Sequence, residues 1–163
     1  MNILKNFSKG LKSGLSFGIA SGVVTTLGAM IGVYFGTKST LAVIGSIISI
    51  AIADALSDAF GTHLAEESKN VSSSNLKISA ISTFFTKFFV AMLFIIPFLF
   101  LEVTLALVIN VILGFFILAS YSLLLALANK TNIIYTILEH CLFAFFVLLI
   151  SYFVGLAINH YFG

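Results

Sequence analysis

The chain has 163 residues, of which 60% are hydrophobic and 9% are charged, and its mean hydropathy is +1.17. Soluble domains carry about 25% charged residues, so this composition excludes a soluble protein and indicates an integral membrane protein. The net charge of +2 comes from dispersed lysines and excludes a nucleic-acid-binding surface. The single cysteine, Cys141, lies in an apolar run and excludes an internal disulfide framework.

Five apolar stretches are each long enough to cross a bilayer, which takes about 20 residues. They leave almost no chain over, so we predict an all-α fold in which residues 1–163 form a single transmembrane domain. The first stretch is too long for the apolar region of a signal peptide and has no clear cleavage site. The predicted spans are residues 14–36, 41–66, 80–101, 103–128 and 133–160.

The positions of the lysines predict the orientation of the chain. With a cytoplasmic amino terminus, six lysines between or before the spans lie inside and only Lys38 lies outside, which places the carboxyl terminus outside. A composition without Trp or Arg and rich in Ile, Phe, Asn and Lys indicates a prokaryotic source and hence a plasma membrane. The six inside lysines are Lys5, Lys9, Lys12, Lys69, Lys77 and Lys130.

Glycines recur at every fourth residue along the first span. Small residues stacked on one side of a helix let another backbone approach closely, and this packing is a main source of helix association in lipid. We predict that these glycines form the seam of a homodimer; packing against another helix of the same chain is the alternative. They are Gly10, Gly14, Gly18 and Gly22, followed by Gly28, Gly32 and Gly36.

The second span carries two aspartates in an otherwise apolar helix. An ionised aspartate near the bilayer centre costs about 2.5–3.5 kcal/mol, so Asp54 and Asp58 need a compensating reason. They are four residues apart and share a face, which Thr62 and Glu66 extend toward the cytoplasm. Two neighbouring carboxylates in low dielectric hold a proton or a cation. The pattern therefore predicts a site that exchanges protons for a divalent cation, and His63 nearby favours Mn²⁺ or Fe²⁺.

A polar linker of about 13 residues, 67–79, follows the second span and is expected to be a connector. Glu66, Glu67 and Asn70 would gather cations at the entrance of the site; an ordinary solvated helix end is the alternative. His63 lies near the same mouth and is a candidate ligand or proton acceptor.

The later spans contain a few isolated signals. Pro97 is expected to kink the third span. Lys87 and Glu139 reach similar depths from the cytoplasmic side, so we predict a structural ion pair between them. If Lys87 instead points at Asp58, the carboxylates are partly neutralised. No phosphate-binding loop, zinc motif or nucleophile motif occurs, so we expect no enzyme.

Residues 19–28 and 52–61 resemble the first two helices of the vacuolar iron transporter family. The family pattern reads roughly Asn-Asp-Gly-Leu-Val-Thr-Thr and then Ala-Glu-Ala-Leu-Ser-Met-Ala-x-Gly-Glu, and the match runs without gaps over about 45 residues. Residues 150–155 resemble its fifth helix more weakly. The resemblance implies a five-span homodimer that moves ferrous iron or manganese out of the cytosol, usually against protons.

The resemblance assigns roles to individual residues. Asp54 matches the acidic position of the second helix, whereas Asp58 stands where the family usually has Met and Ser21 where it usually has Asp. Thr62 replaces a Glu, and Met30 falls where a member can carry Met. The linker leaves no room for the family's cytoplasmic metal-binding domain, so the chain resembles a short prokaryotic-type member.

Two hypotheses follow. The first is a divalent-metal transporter in the bilayer that works as a homodimer, with Fe²⁺ or Mn²⁺ and protons as its substrates and no tightly bound cofactor. The second is a non-transporting scaffold or accessory subunit with structural intramembrane ion pairs. Carboxylates that face an open, hydrated cavity would favour the first, and carboxylates packed against Lys87 the second. The residues expected at the metal path are Asp54, Asp58, Ser21, Thr25, Thr26, Met30 and Thr62.

Overall fold

The protein is described here by a computed structural model that covers residues 2–69 and 73–163, with side chains from residue 9 onward. Within this part of the chain every regular element is a helix and no strand occurs. Asn70, expected at the entrance, lies outside the described residues. The helices are α1 (Asn2–Thr37), α2 (Thr40–Ser49), a π-helical turn (Ile50–Asp54), α3 (Ala55–Glu67), α4 (Ser73–Leu93), α5 (Ile96–Phe100), α6 (Val103–Asn129) and α7 (Ile133–Phe162).

Five stretches of helix are long and apolar enough to cross a membrane, which confirms the predicted all-α class and the number of membrane-length helices. Their apolar surfaces are consistent with contact with a lipid bilayer. The orientation of the chain and the single domain over residues 1–163 stay predictions. The five stretches are Lys9–Thr37, Thr40–Glu67, Ser73–Phe100, Val103–Asn129 and Ile133–Phe162.

The connector after the second span is shorter than expected. Residues 67–79 were predicted to link two spans, but α4 already begins at Ser73. The polar residues Asn75 and Ser79 are buried in this helix, and their backbone carbonyls lie where a side chain on Gly10 or Gly14 would stand. Polarity therefore marks a helix contact here and does not mark a loop.

The third span, in which Pro97 was predicted to cause a kink, is interrupted at Phe94 and Ile95, and Pro97 lies in the first turn of the helix that follows. Helix α4 ends at Leu93 and α5 begins at Ile96. The N–H of Phe98 donates to the Ile95 carbonyl (3.0 Å), three residues back, so the Phe94 carbonyl loses its usual helical donor. The side-chain amide of Asn110 replaces that donor at 2.8 Å.

Contacts group the chain into two compact units. The first consists of Met1–Gly22 and Ile48–Leu93, and the second of Val23–Ile47 and Phe94–Gly163. In the first unit α3 and the π-helical turn pack along α4, and in the second unit α6 packs against α5 and α7. Helix α1 contributes its first part to one unit and its remainder to the other.

In the first unit the glycines of α1 pack against α4 of the same chain, so the predicted homodimer seam is wrong for them. A Cβ on Gly18 would lie 2.8 Å from the Thr86 Cβ, and one on Gly22 would lie 3.1 Å from Val90 Cγ1. A side chain on Gly14 would overlap Ser82. The alternative, intrachain packing, is what these glycines provide.

In the second unit Gly28 and Gly32 also face a helix of the same chain, so the seam prediction is wrong for them too. A Cβ on Gly28 would lie 3.1 Å from both Val147 Cγ1 and Ser151 Oγ of α7. A Cβ on Gly32 would lie 3.3 Å from the Ser151 carbonyl. The glycine spacing indicated close helix packing correctly, but it gave no information on which helix is packed.

Candidate functional site

Lys87 is the centre of a charged cluster within the first unit. Its side chain is fully buried, and its ammonium contacts the carboxylates of both Asp54 (2.5 Å) and Asp58. The ammonium also donates to the Ser21 hydroxyl at 2.9 Å, and that hydroxyl donates in turn to Asp58 at 2.6 Å. We call Asp54, Asp58 and Lys87 the triad.

Three helices bring these side chains together. Asp54 is the last residue of the π-helical turn and Asp58 follows one turn later on α3, so both project from the second span toward α4. Lys87 comes from α4. Ser21 reaches the ammonium because Gly18 and Gly22, on either side of it along α1, let that helix approach α4 closely.

Three acceptor groups surround the lysine ammonium, which forms ion pairs with Asp54 and Asp58 and donates a hydrogen bond to the Ser21 hydroxyl. With every group ionised, however, two carboxylates face one ammonium and the net charge is negative. The carboxylates are also less buried than the lysine, since 38% of the Asp54 side chain and 21% of the Asp58 side chain are exposed.

The predicted ion pair between Lys87 and Glu139 is wrong. The ammonium of Lys87 is already held by the two aspartates, and Glu139 is exposed on α7 among Tyr135, Leu138 and other apolar side chains. Equal depth from the cytoplasmic side was the basis of the prediction, and depth alone does not fix which face of a helix a side chain occupies. The alternative, Lys87 at Asp58, is the observed arrangement.

By the criterion given with the two hypotheses, the arrangement fits the structural one. The carboxylates contact Lys87, as the structural hypothesis expects. They also keep part of their surface exposed, which an ion pair sealed inside the protein does not need. The ammonium occupies the place between the carboxylates where a bound metal ion was expected, so a cation enters only if Lys87 loses its proton or moves.

Two other expected ligands have different partners. The Thr62 hydroxyl is buried, donates to the Asp58 backbone carbonyl (2.7 Å) and lies 3.3 Å from the Thr83 hydroxyl. Met30 belongs to the second unit, where its sulfur accepts from the Asn110 amide at 3.4 Å. Of the predicted path, Asp54, Asp58 and Ser21 therefore come together, whereas Thr62 and Met30 have the partners just described.

Among the residues expected at the entrance, Glu66 contacts other side chains of the protein. Glu66 accepts a hydrogen bond from Ser13 (2.9 Å) and pairs with Lys69 at 3.5 Å. Glu67 is exposed and His63 is half-buried. Across residues 2–69 and 73–163, no three His, Cys, Asp or Glu side chains come close enough to form a metal-holding group. Their role in collecting cations stays a prediction.

Two features, one in each unit, were not predicted from the sequence. The π-helical turn that ends at Asp54 has no signature in the residues themselves, although such turns are frequent at functional sites. Asn110 could have been predicted from the sequence. An amide in the middle of an apolar span needs a partner, and Pro97, which has no N–H, leaves a backbone carbonyl of the third span without its usual donor. The half-buried His140 also has a partner, the Ser122 hydroxyl at 2.7 Å.

Comparison with known proteins gives no relative for this arrangement. No protein-family model, curated protein or solved structure matches the chain. The resemblance to the vacuolar iron transporter family therefore stays a prediction from residues 19–28 and 52–61. Any function rests on the geometry of the triad.

Proposed function

We propose that this chain is a membrane transporter that exchanges protons for a cation at the triad. The observation that supports the proposal is the imbalance of two carboxylates against one ammonium. An uncompensated charge within membrane-spanning helices costs several kcal/mol, and such groups are typical of ion and proton pathways. A structural pair needs only one acid for each lysine, so the second carboxylate calls for a proton or a cation.

The charges define the exchange. The triad is neutral when one carboxyl carries a proton, the other is ionised and Lys87 is charged. When a divalent cation binds, both aspartates are ionised and Lys87 is neutral, and the sum is again zero. Two protons leave for each divalent cation, one from the acid and one from Lys87. A monovalent cation would replace a single proton and leave Lys87 charged.

The donor atoms suggest which cations to test first. Asp54, Asp58 and Ser21 offer oxygen ligands, which suit Mn²⁺ and other hard or borderline cations. The family resemblance points to the same substrates, Fe²⁺ and Mn²⁺. Export from the cytosol, a homodimer and a prokaryotic plasma membrane belong to the same proposal.

The test measures both ions in one preparation. Proteoliposomes with the purified protein are expected to take up Mn²⁺ and release two protons for each ion, with a metal-sensitive and a pH-sensitive dye as readouts. Asp54→Asn combined with Asp58→Asn is expected to abolish both fluxes. Glu139→Gln is the matched control, because Glu139 is an acid in a membrane-length helix outside the triad. Unchanged flux in the double variant would contradict the assignment.

A second candidate is a non-transporting membrane scaffold or accessory subunit. The complete burial of Lys87, whose ammonium contacts both aspartates and the Ser21 hydroxyl, favours it, because such a lysine ties α1, α3 and α4 together. This candidate predicts that the wild-type protein carries no cation across a panel of metals. It also predicts that the double aspartate variant lowers the free energy of unfolding while Glu139→Gln does not.

A further inference from the structure

The second unit contains a groove between α1 and α6 that the triad does not involve. Its volume is about 320 Å³, and its walls are apolar throughout. Ile31, Tyr34 and Phe35 line it on α1, and Val108 and Ile112 are among the residues that line it on α6. Val108 and Ile112 are more than half exposed, so the groove opens to the outside of the chain.

Lys38 lies at one end of this groove. It follows α1 in a left-handed backbone conformation (φ 54°), and its ammonium lies 4.5 Å from the centre of the Phe35 ring and 5.4 Å from that of Tyr34. Both rings line the groove. None of the ion pairs among the described residues involves Lys38. The groove therefore has one positive charge at its end and apolar walls along its length.

The dimensions fit one acyl chain. From Ile31 to Lys38 is about 10 Å along α1, and from Thr104 to Ile112 is about 12 Å along α6. One leaflet of a bilayer is about 15 Å of hydrocarbon. Tyr34 lies near the end of its span, where aromatic rings commonly mark the headgroup level. A molecule with a long apolar tail and a charged head matches this pattern.

We propose that this groove binds an anionic phospholipid, with an acyl chain between α1 and α6 and the phosphate at Lys38. The charge of Lys38 selects a negative headgroup over a zwitterionic one, whose own ammonium would be repelled.

The absence of tryptophan from the sequence gives a direct test. Ile112→Trp places the sole tryptophan of the chain in the groove, where brominated lipids quench its fluorescence. Bilayers are made with either brominated phosphatidylglycerol or brominated phosphatidylcholine. We expect phosphatidylglycerol to reach half-quenching at an about fivefold lower mole fraction, which corresponds to ~1 kcal/mol for one lysine near a headgroup.

Matched variants isolate the groove and its charge. Leu124→Trp, on the same helix and equally exposed but outside the groove, is expected to show no preference between the lipids. In the Ile112→Trp chain, Lys38→Gln is expected to remove the preference. Lys130→Gln, at the other exposed lysine with a left-handed backbone (φ 55°), is expected to keep it.

Several results would overturn the proposal. Equal quenching of the groove tryptophan by both lipids would show that the site does not select charge. No quenching by either lipid would show that another protein chain covers the groove. A preference that survives Lys38→Gln, or one that is equally strong at position 124, would show a general surface effect. None of these readouts depends on transport.

Discussion

The two parts of helix α1 carry the same four-residue glycine spacing but pack against helices with different kinds of side chain. In the first unit Gly18 and Gly22 lie against α4, which carries the buried Lys87. In the second unit Gly28 and Gly32 lie against α7, and one turn further on the Phe35 ring packs on Tyr152 at 4.5 Å. The same backbone device thus supports a charged cluster in one unit and an aromatic contact in the other.

This difference shows what small residues do in an apolar helix of membrane-spanning length. Glycine removes the bulk between two backbones, so short side chains beside it can reach the neighbouring helix. Beside Gly22 that side chain is Ser21, whose hydroxyl bridges Lys87 and Asp58. Glycine spacing therefore predicts close approach, while the neighbouring residues decide whether the contact is polar or apolar.

The largest expected effect comes from removing the ammonium of the first unit. Lys87→Met leaves two carboxylates without their shared partner; breaking one side of a fully buried ion pair costs about 3–5 kcal/mol, which is the upper limit for these partly exposed carboxylates. The free energy of unfolding is measured by titration with a denaturing detergent. Lys77→Met, an exposed lysine on the same helix, is the control and is expected to change little.

A compensating variant sharpens this prediction. Adding Asp54→Asn and Asp58→Asn to Lys87→Met removes the unpaired charges and is expected to restore most of the lost stability. Equal stability of the Lys87 and Lys77 variants would show that the triad does not hold the first unit together.

A smaller effect is expected from adding a methyl group to α1. In Gly18→Ala the new Cβ lies 2.8 Å from Thr86 Cβ and 3.0 Å from the Thr83 carbonyl, so α4 must move, and such overpacking costs about 1–3 kcal/mol. Gly28→Ala meets only side-chain atoms at 3.1 Å in the second unit and is expected to cost less.

Gly61→Ala is the control for these glycines, because no atom lies within 4 Å of its added Cβ. It is expected to stabilise the helix by about 0.5–1 kcal/mol. If Gly18→Ala changed the oligomeric state while leaving the unfolding free energy unaltered, the glycine would act between chains and our assignment would be incorrect.

The smallest effect is expected at the break of the third span. Asn110→Leu removes the donor to the Phe94 carbonyl, and hydrogen bonds between membrane helices average about 0.6 kcal/mol with a maximum near 1.7. Pro97→Ala restores a backbone N–H and lets the helix continue, so the cost of Asn110→Leu is expected to fall in that background. Identical costs with and without Pro97 would indicate that the amide does not serve the break.

The sequence predicted the features that depend on length and hydropathy. Five apolar stretches became five membrane-length helices, and the third is interrupted just before Pro97, because a proline within a helix removes a backbone hydrogen bond. These features need no knowledge of neighbours.

The features that depend on helix faces were predicted less well. Lys87 was paired with Glu139 because their depths agree, but apolar residues surround both helices and give no sign of which face is inside. The same lack of contrast assigned Gly14 and Gly18 to a dimer. Asn75 and Ser79 were placed in a loop because their polarity was visible and their glycine partners on α1 were not.

The order of the triad along the chain has a consequence for biosynthesis. Asp58 precedes Lys87 by 29 residues, so the acidic span leaves the ribosome before the lysine that compensates it. The second span on its own is a poor candidate for release into lipid, since each ionised aspartate opposes that step. We therefore expect the insertion machinery to hold this helix until the next one emerges, so that the two are handed to the bilayer as a pair.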